Sequence, residues 1–477
     1  MHISVFLGPF SFGPKQDLPN IDLCLAQATA AAEAGFAMVT FGEQHYNNYE
    51  PYCNPFLMAA RLAPYLGDTW FGTTIVPLVF HHPFRLAEDA SVVDLLLRGR
   101  FQLGMSAGRV GFSPDFENFG VDPARRQDVF DSKLDLLRRA FAHQPGDAPI
   151  VMDTEWDKGA LNGRLMPVSY RAGGPLLAVG TNTDAKIVSS AEQGLSVFLG
   201  PCPRPDAARK FQLYRDALVA GGRDAQSVAT LSSRCLVTRH VIVGKTEDEA
   251  WERAEAMVGA NPMMDRSTDT RSLRQLSSAD PADRNAAWVQ SWIIAGDPDS
   301  VTRQLREYDE AGVPQVLTRF TVGAYNPEQI NASFGLFVDE VLPQLDSERF
   351  PALSPEEIRS EHRADPAVQT APVVISDGPI SLDGIWHAVI DTPMGEQQVV
   401  LDLTVDGSTV TGTATQNGAT NPIDDGTIEG NELSWKVSVR APFTMKQAFA
   451  VSVAGDTMIG KVKAGLFPAS PLTGTRA

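Results

Sequence analysis

One rhythm constrains what this chain can fold into. Up to about residue 346, short apolar or β-branched runs alternate with helical patterns. The runs are ISVFL, MVTF, FGTTIV, FQLGMS, LLAV, SVFL, the longer CLVTRHVIV, and QVLTRF, eight in all. Between them the helical patterns stop at Gly35, Gly67, Gly99, Gly194, Gly221 and Gly312. Glycine suits the residue just past a helix end, where the backbone turns left-handed. Strands alternating with helices imply right-handed crossovers and a parallel sheet. Eight such units favour an α/β fold of one kind, the closed (β/α)8 TIM barrel, over an open sheet. Residues 1–346 exceed the roughly 250 residues usual for such a barrel, so insertions are expected at 107–125, 144–174 and 260–290.

The rhythm breaks after Leu345. Residues 347–378 are rich in proline and charge without an apolar period, and read as a linker or an arm packed on the surface. Residues 379–477 then alternate apolar and polar at period two, joined by VDGS, EGNE and AGDT. Those are hairpin signals, because Asn, Asp and Gly tolerate positive φ. A separate small antiparallel β domain, barrel or sandwich, is expected, with Trp386 and Trp435 in its core.

A chain of 477 residues suggests two or three domains. Its formal net charge of −18 argues against a nucleic-acid partner. No apolar run approaches the ~20 residues of a membrane span. The start MHISVFLGPF lacks a basic leader and a small-residue cleavage pattern, so it reads as a first strand and not as a signal peptide. Cys24, Cys53, Cys202 and Cys235 are scattered, which fits reduced thiols and a cytoplasmic location.

In a (β/α)8 barrel the active site lies where the strands end, whatever the reaction. Glu43, Gln44 and His45 follow the second run directly. His81 and His82 follow the third, Ser106 and Arg109 the fourth, and Gly180, Thr181, Asn182 and Thr183 the fifth. Trp292 and Arg319 are further candidates. The histidines lack the spacing of a metal motif and no Asp pair joins them, so no metal is expected. In AVGTNTDAKIVSSAEQG, Gly180 lets backbone approach a ligand. Thr and Asn then cap a helix beginning near Asp184, whose unpaired N–H groups suit a phosphate. Arg109 and Arg126 could add charge from neighbouring loops. His82 precedes Pro83 and also reads as a residue that simply begins a helix.

Several stretches together resemble the luciferase-like flavin monooxygenases. They are AAEAGFAMVTFGEQHY, HPFRLAEDASVVDLLLRGRFQLGMSAG, PDFENFGVDPARRQDVFD, AVGTNTDAKIVSSAEQGL, and GDPDSVTRQLREYDEAGVPQVLTRF running into LFVDEVLPQL. The resemblance covers nearly all of residues 1–346 and none of the C-terminal part. It implies the barrel and bound FMN, reduced and supplied by a separate NAD(P)H-dependent flavin reductase, or in one branch a deazaflavin coenzyme that transfers hydride. It implies that O2 adds to the reduced flavin, and that the hydroperoxide delivers one oxygen atom to a small organic substrate. A homodimer is expected. A flavin-binding protein that has lost its chemistry is the non-catalytic alternative.

By the same resemblance a non-proline cis peptide supports the flavin ring after the third strand, and Thr74-Ile75 occupies that place. Phe6 matches a position beneath the flavin, and Ser106 would meet its edge. Arg109 or Arg126 would join Gly180, Thr181, Asn182 and Thr183 at the phosphate. His45, with Glu43 orienting it, would polarise the substrate or protect the oxygenating species. Luciferases carry two His after this Glu. Here the first is Gln44, so light emission is not expected. Arg85, Glu88 and Arg100 fit the pattern but read as ion pairs that hold helices on strands. Residues 144–174 or 260–290 could supply a covering loop.

Overall fold

The computed structural model of the protein describes residues 1–111, 114–258, 269–321, 326–362, 383–392, 395–439, 445–464 and 469–477. The chain divides into two compact units, Met1–Ala364 and Asp365–Ala477.

All eight expected strands form in the first unit: His2–Phe6, Met38–Phe41, Trp70–Thr73, Phe101–Ser106, Leu176–Gly180, Ser196–Leu199, Leu236–Val243 and Gln315–Arg319. Each pairs in parallel with its sequence neighbour. The first pairs with the eighth, His2 opposite Gln315 and Val5 opposite Thr318, which closes the ring. One extra strand, Ile293–Gly296, runs beside the C-terminal half of the seventh. The strands are buried on both faces, which explains their nearly unbroken apolar sequence. Phe6, Met38, Trp70, Ala178, Phe198, Leu236 and Leu317 form one buried cluster. Ile3, Val5, Val39, Phe41, Phe71, Phe101, Leu103, Val197 and Leu199 belong to a second, shared with the helices. Gly104 has no room for a side chain: a Cβ there would run into the Thr73 carbonyl oxygen and the Phe198 ring.

The helix stops fall where expected, with one shift. After the helix Arg204–Ala220 the left-handed residue is Gly222, at φ 78°, while Gly221 has φ −77°. The expected insertions hold the short helix Asp115–Asn118, a hairpin of Ile150–Asp153 with Lys158–Leu161, and helices Leu273–Ser277 and Arg284–Trp292. Residues 260–268 of the third lie outside the described residues. Among the described residues no helix is long and apolar enough to cross a membrane. The four cysteines are free thiols.

Residues 347–362 pack against the N-terminal ends of the barrel strands. Ser347 Oγ accepts from the Ile3 N–H at 3.2 Å, and the Glu348 carbonyl meets His2 Nδ1 at 2.7 Å. Phe350 is buried, and the Arg234 guanidinium sits between its ring (3.8 Å) and that of Trp70 (3.7 Å). Further along, Arg171 holds Glu357 at 2.9 Å. Stacking on two aromatic faces suits a delocalised cation that burial has stripped of water. Residues 363–378 of the expected linker lie outside the described residues.

The second unit is a closed antiparallel barrel of eight strands running from Gly384 to Arg476. Its interior is filled, with Trp386 and Trp435 both buried. Gln416 pairs with Ala419 across Asn417-Gly418, both at positive φ (50° and 76°), the mirror-image turn that Asn-Gly favours. The strand Ala419–Glu429 carries no clean alternation because its register shifts between Asp424 and Thr427, where Asp425 takes φ 52°. A bulge of that kind breaks period two without ending the strand.

Phe350→Ala empties the stack that covers Arg234. The expected loss is about 3–5 kcal/mol, the usual cost of a buried Phe→Ala change, read as a lowered denaturation midpoint of the full chain; an unshifted midpoint would show that the arm is dispensable.

Candidate active site

At the C-terminal ends of the strands lies an open cleft. Glu43, Gln44, Glu50, Thr74, Ile75, Ser106, Arg109 and Asp115 supply its polar and backbone lining, and Pro77, Phe80, Gly108 and Phe116 complete it. Five residues singled out from sequence, Glu43, Gln44, Thr74, Ser106 and Arg109, therefore share one wall. They come from three successive strand ends, which is why they were far apart in sequence.

Glu43 is buried and bridges two histidines. Its Oε1 meets His45 Nε2 at 2.8 Å and His81 Nε2 at 2.7 Å. Burial pushes the Glu43 carboxyl up, but the hydrogen bonds with His45 and His81 outweigh it and hold the group below its ordinary value. The Glu43 hydrogen bond lifts His45 above its ordinary value against the effect of burial, and Asp115 adds to the lift. His81 is anchored from behind: buried Lys133 donates to its carbonyl at 2.7 Å and pairs with Asp157 at 3.3 Å. The His45 ring meets Phe119 edge-on at 5.0 Å, and Phe119 stacks on Phe80 at 4.9 Å.

The Thr74-Ile75 peptide is cis, at the place expected from sequence. Thr74 Oγ1 donates to Thr40 Oγ1 at 2.7 Å, and Ser106 Oγ accepts from the Gly108 N–H at 3.0 Å. The Gln44 side-chain oxygen accepts from Asn47 Nδ2 at 3.1 Å. Phe6 is buried at the top of the first strand, with the Arg319 guanidinium 4.8 Å over its ring. Gly180 lies against Ile75: a Cβ there would come 2.8 Å from Ile75 Cδ1. Beyond it, the Thr181 N–H donates to the Phe198 carbonyl at 3.0 Å, and Thr181 Oγ1 accepts from the Thr183 N–H at 3.1 Å. Asn182 Nδ2 reaches the Pro201 carbonyl at 3.5 Å. The helix that follows, Asp184–Glu192, starts where expected, but the capping reading needs correction. Thr183 occupies the N-cap without a side-chain bond to the first turn, and the Thr181 and Asn182 side chains bond within the loop and do not cap it.

Other candidates lie elsewhere. Arg126 donates to the Pro123 carbonyl at 2.9 Å, is exposed at that bond, and does not line the cleft. His82 is the N-cap of helix Pro83–Leu96, its Nδ1 accepting from the Arg85 N–H at 3.4 Å. Arg85 pairs with Glu88 at 2.9 Å along its own helix and is exposed, so it does not tie helix to strand; exposed pairs of this kind contribute about 0–1 kcal/mol. Arg100 is half-buried, and burial lowers its pKa. Trp292 stacks on buried His240 at 4.9 Å, away from the cleft lining. The cleft residues not foreseen are Glu50, Asp115, Pro77, Gly108 and the aromatic wall of Phe80 and Phe116. Aromatic spacing in VFHHPF and PDFENF was visible, but nothing in it marked that Phe80 and Phe116 turn inward.

Residues 1–315 match the family model of the luciferase-like monooxygenases. The chain belongs to that family of flavin-dependent monooxygenases. The 4-hydroxyprotoasukamycin monooxygenase of Streptomyces nodosus subsp. asukaensis is 28% identical over 361 residues, 71% of this chain and 91% of that protein. Among solved structures, the monooxygenase RslO1 from Streptomyces bottropensis superposes with a TM-score of 0.59 at 22% identity, covering 72% of this chain and 99% of that one. The oxygenating constituent of 3,6-diketocamphane monooxygenase from Pseudomonas putida, a type II Baeyer-Villiger monooxygenase in complex with FMN, gives 0.59 at 18% identity, with 73% and 100% covered. At those identities the likeness is one of fold.

A pKa raised by a carboxylate partner makes the charged His45–Glu43 pair stabilising below the unfolded histidine value of about 6.5. That contribution is lost as pH rises through the elevated value in the folded protein. Glu43→Gln removes the cause, so the His45 ring should titrate at or below the ordinary value in an NMR pH series. A His45 pKa equal in both proteins would show that Glu43 does not set its charge.

Proposed function

We propose that the protein is a reduced-FMN monooxygenase that places one oxygen atom of O2 into a small, largely apolar organic molecule, with reductant brought by a separate flavin reductase. The observation that carries this reading is the convergence of Glu43, Gln44, Thr74, Ser106 and Arg109 on one cleft at the strand ends. The FMN found with the diketocamphane enzyme supports the choice of cofactor.

The residues present fit such a cofactor. Gly180 and Gly108 leave bare backbone where a Cβ would meet Ile75 and the Phe116 ring. Thr74 and Ser106 would lie against the ring system. Arg109 and the start of helix Asp184–Glu192, with Gly180, Thr181, Asn182 and Thr183 leading into it, would hold the phosphate. An uncapped helix start presents N–H groups and partial positive charge to an anion. When bound and reduced, the flavin activates O2 and supplies the oxygen atom. The protein's own task is to bind, orient and keep the site dry. Pro77, Phe80 and Phe116 do the last, since apolar walls exclude the water that diverts oxygen to peroxide. His45, whose pKa Glu43 raises, would orient the substrate by hydrogen bonding. A homodimer is part of this proposal, as is a separate domain role for the C-terminal barrel.

Oxygen uptake with FMN and any NAD(P)H-dependent flavin reductase tests the reading, against hydride transfer with a deazaflavin; the second result without the first would replace it. His45→Ala should bind FMN as before but divert a larger share of reducing equivalents to hydrogen peroxide; unchanged coupling would remove His45 from the chemistry. Arg109→Ala should weaken FMN binding by about tenfold to a hundredfold, as loss of a charge-assisted hydrogen bond does, while Arg126→Ala leaves it near wild type. The reverse order in a flavin fluorescence titration would assign the phosphate to Arg126.

A further inference from the structure

Glu50 stands in the cleft with no role in what precedes. It is buried, 5% exposed, and lines both the main cleft and the adjoining hollow of Ser11, Asp17, Tyr46 and Asn47. Its Oε2 is fully buried with no hydrogen-bond partner. The carboxyl is pressed onto two glycines: a Cβ on Gly42 would collide with it, and one on Gly8 would come 3.0 Å from Oε1. The backbone supports that pose, since Glu50 takes φ 55°, as its neighbours Tyr46 and Cys53 take φ 54° and 45°. Three non-glycine residues in the left-handed region within one loop is uncommon.

Charged and titratable groups face Glu50 from several elements: Arg319 from the eighth strand, Glu43 from the second strand end, Tyr49 and Tyr52 from its own loop, and Cys24 from the first helix. Arg109 and Asp115 share the main cleft with it, and Asp17, Tyr46 and Cys53 the adjoining hollow. Arg319 donates to the Gly8 and Thr321 carbonyls. Tyr52 donates to the Leu7 carbonyl at 2.8 Å. Burial pushes the Glu50 carboxyl up to about 7, with Arg319 opposing and Glu43 assisting. Near neutral pH this is an acceptor whose desolvation has not been offset, and such a group favours any occupant that brings a donor.

The rest of the cleft narrows the occupant. Ile75, Pro77, Phe80 and Phe116 form an apolar, partly aromatic wall, which suits a flat apolar body. Arg109 in the lining and Arg319 behind Glu50 offset the Glu43 and Asp115 carboxylates, so the cleft's charge does not call for a cationic donor. We propose that Glu50 is the specificity-determining residue of the cleft, accepting a hydrogen bond from the hydroxyl of a neutral aromatic substrate of the phenol class. This rests on the monooxygenase reading of the same site. It excludes plain alkanes and alkanals as good substrates, because they leave the carboxylate without a donor.

The test is equilibrium dialysis of the full-length protein, with and without oxidised FMN and with no reductant. The probes are matched pairs that stay neutral across this pH range: cresol and its methyl ether, naphthol and its methyl ether. The wild type should bind each phenol about tenfold to a hundredfold tighter than its ether, the range of a hydrogen bond to a charged acceptor. The preference should shrink as pH falls below about 7 and the carboxyl takes a proton of its own. Glu50→Gln and Glu50→Met should narrow it to a few-fold while FMN affinity stays put. Equal binding of phenol and ether by the wild type overturns the proposal, and so does a preference that survives both substitutions. Loss of FMN binding in both variants also overturns it, because Glu50 would then serve the flavin. Failure of the wild type to bind FMN, with the phenol preference intact, would sink the flavin reading alone.

Discussion

Closure of the ring is the constraint on which the rest of the first unit depends. It rests on short stretches of register: Leu236 opposite Phe198 and Val237 opposite Leu199 join the seventh strand to the sixth, and four pairs join the first to the eighth. Side chains alternate along a strand, so a slip of one residue at either seam would exchange the interior set for the helix-facing set. Phe6 and Leu317 would leave the barrel interior, and Arg319 would lose its place over the Phe6 ring. Because every strand runs the same way, a correct ring also delivers all eight carboxyl ends to one side. Glu43, Thr74 and Ser106 meet there for that reason alone.

Two carboxyls on that face have opposite fates, and hydrogen bonding decides them. Both are buried, and burial pushes both upward. Glu43 accepts from two imidazoles on one oxygen and ends below its ordinary value. Glu50 has Arg319 nearby but takes no bond from it, and ends near neutrality. Directed donors at about 2.8 Å thus outweigh a desolvation cost that a more distant charge does not cancel. The contrast separates the tasks of the two groups. Glu43 is a fixed negative charge that sets the protonation of His45, while Glu50 remains responsive to what enters the cleft.

The fold was legible because its signal is repeated: eight apolar runs, each bounded by a helix and a turn residue, and then period-two strands joined by Asn- and Gly-bearing turns. Strand ends were legible for the same reason, which is why Glu43, Gln44, Ser106 and Arg109 were singled out, while Thr74 came from the family resemblance. What escaped depends on geometry that spacing does not encode. His81 sits two residues before a proline-started helix, and only the three-dimensional approach to Glu43 distinguishes it from His82, which caps that helix. Lys133 lies mid-helix and looks like a surface residue until its partners Asp157 and the His81 carbonyl come into place. Glu50 acquires its character from a left-handed backbone and from the absence of side chains on Gly8 and Gly42. Residues 347–362 were read as linker or arm because their apolar anchors, Phe350 and Leu353, are too sparse to form a pattern.

Arg319 shows how the barrel keeps one site responsive. A buried guanidinium beside a buried carboxylate would ordinarily form a two-point salt bridge, and the carboxylate would then be charged and closed to any ligand. Here the eighth strand ends beside the first, which puts the Gly8 carbonyl within reach of Arg319, and the Thr321 carbonyl accepts from it as well. The rings of Phe6 and Phe10 cover its faces at 4.8 and 5.9 Å. With its Nε and Nη2 bonded to those carbonyls, Arg319 biases Glu50 toward the ionised form through space without a hydrogen bond to it. The strand order that closes the barrel is therefore the same feature that leaves the carboxyl open to a donor from outside the chain.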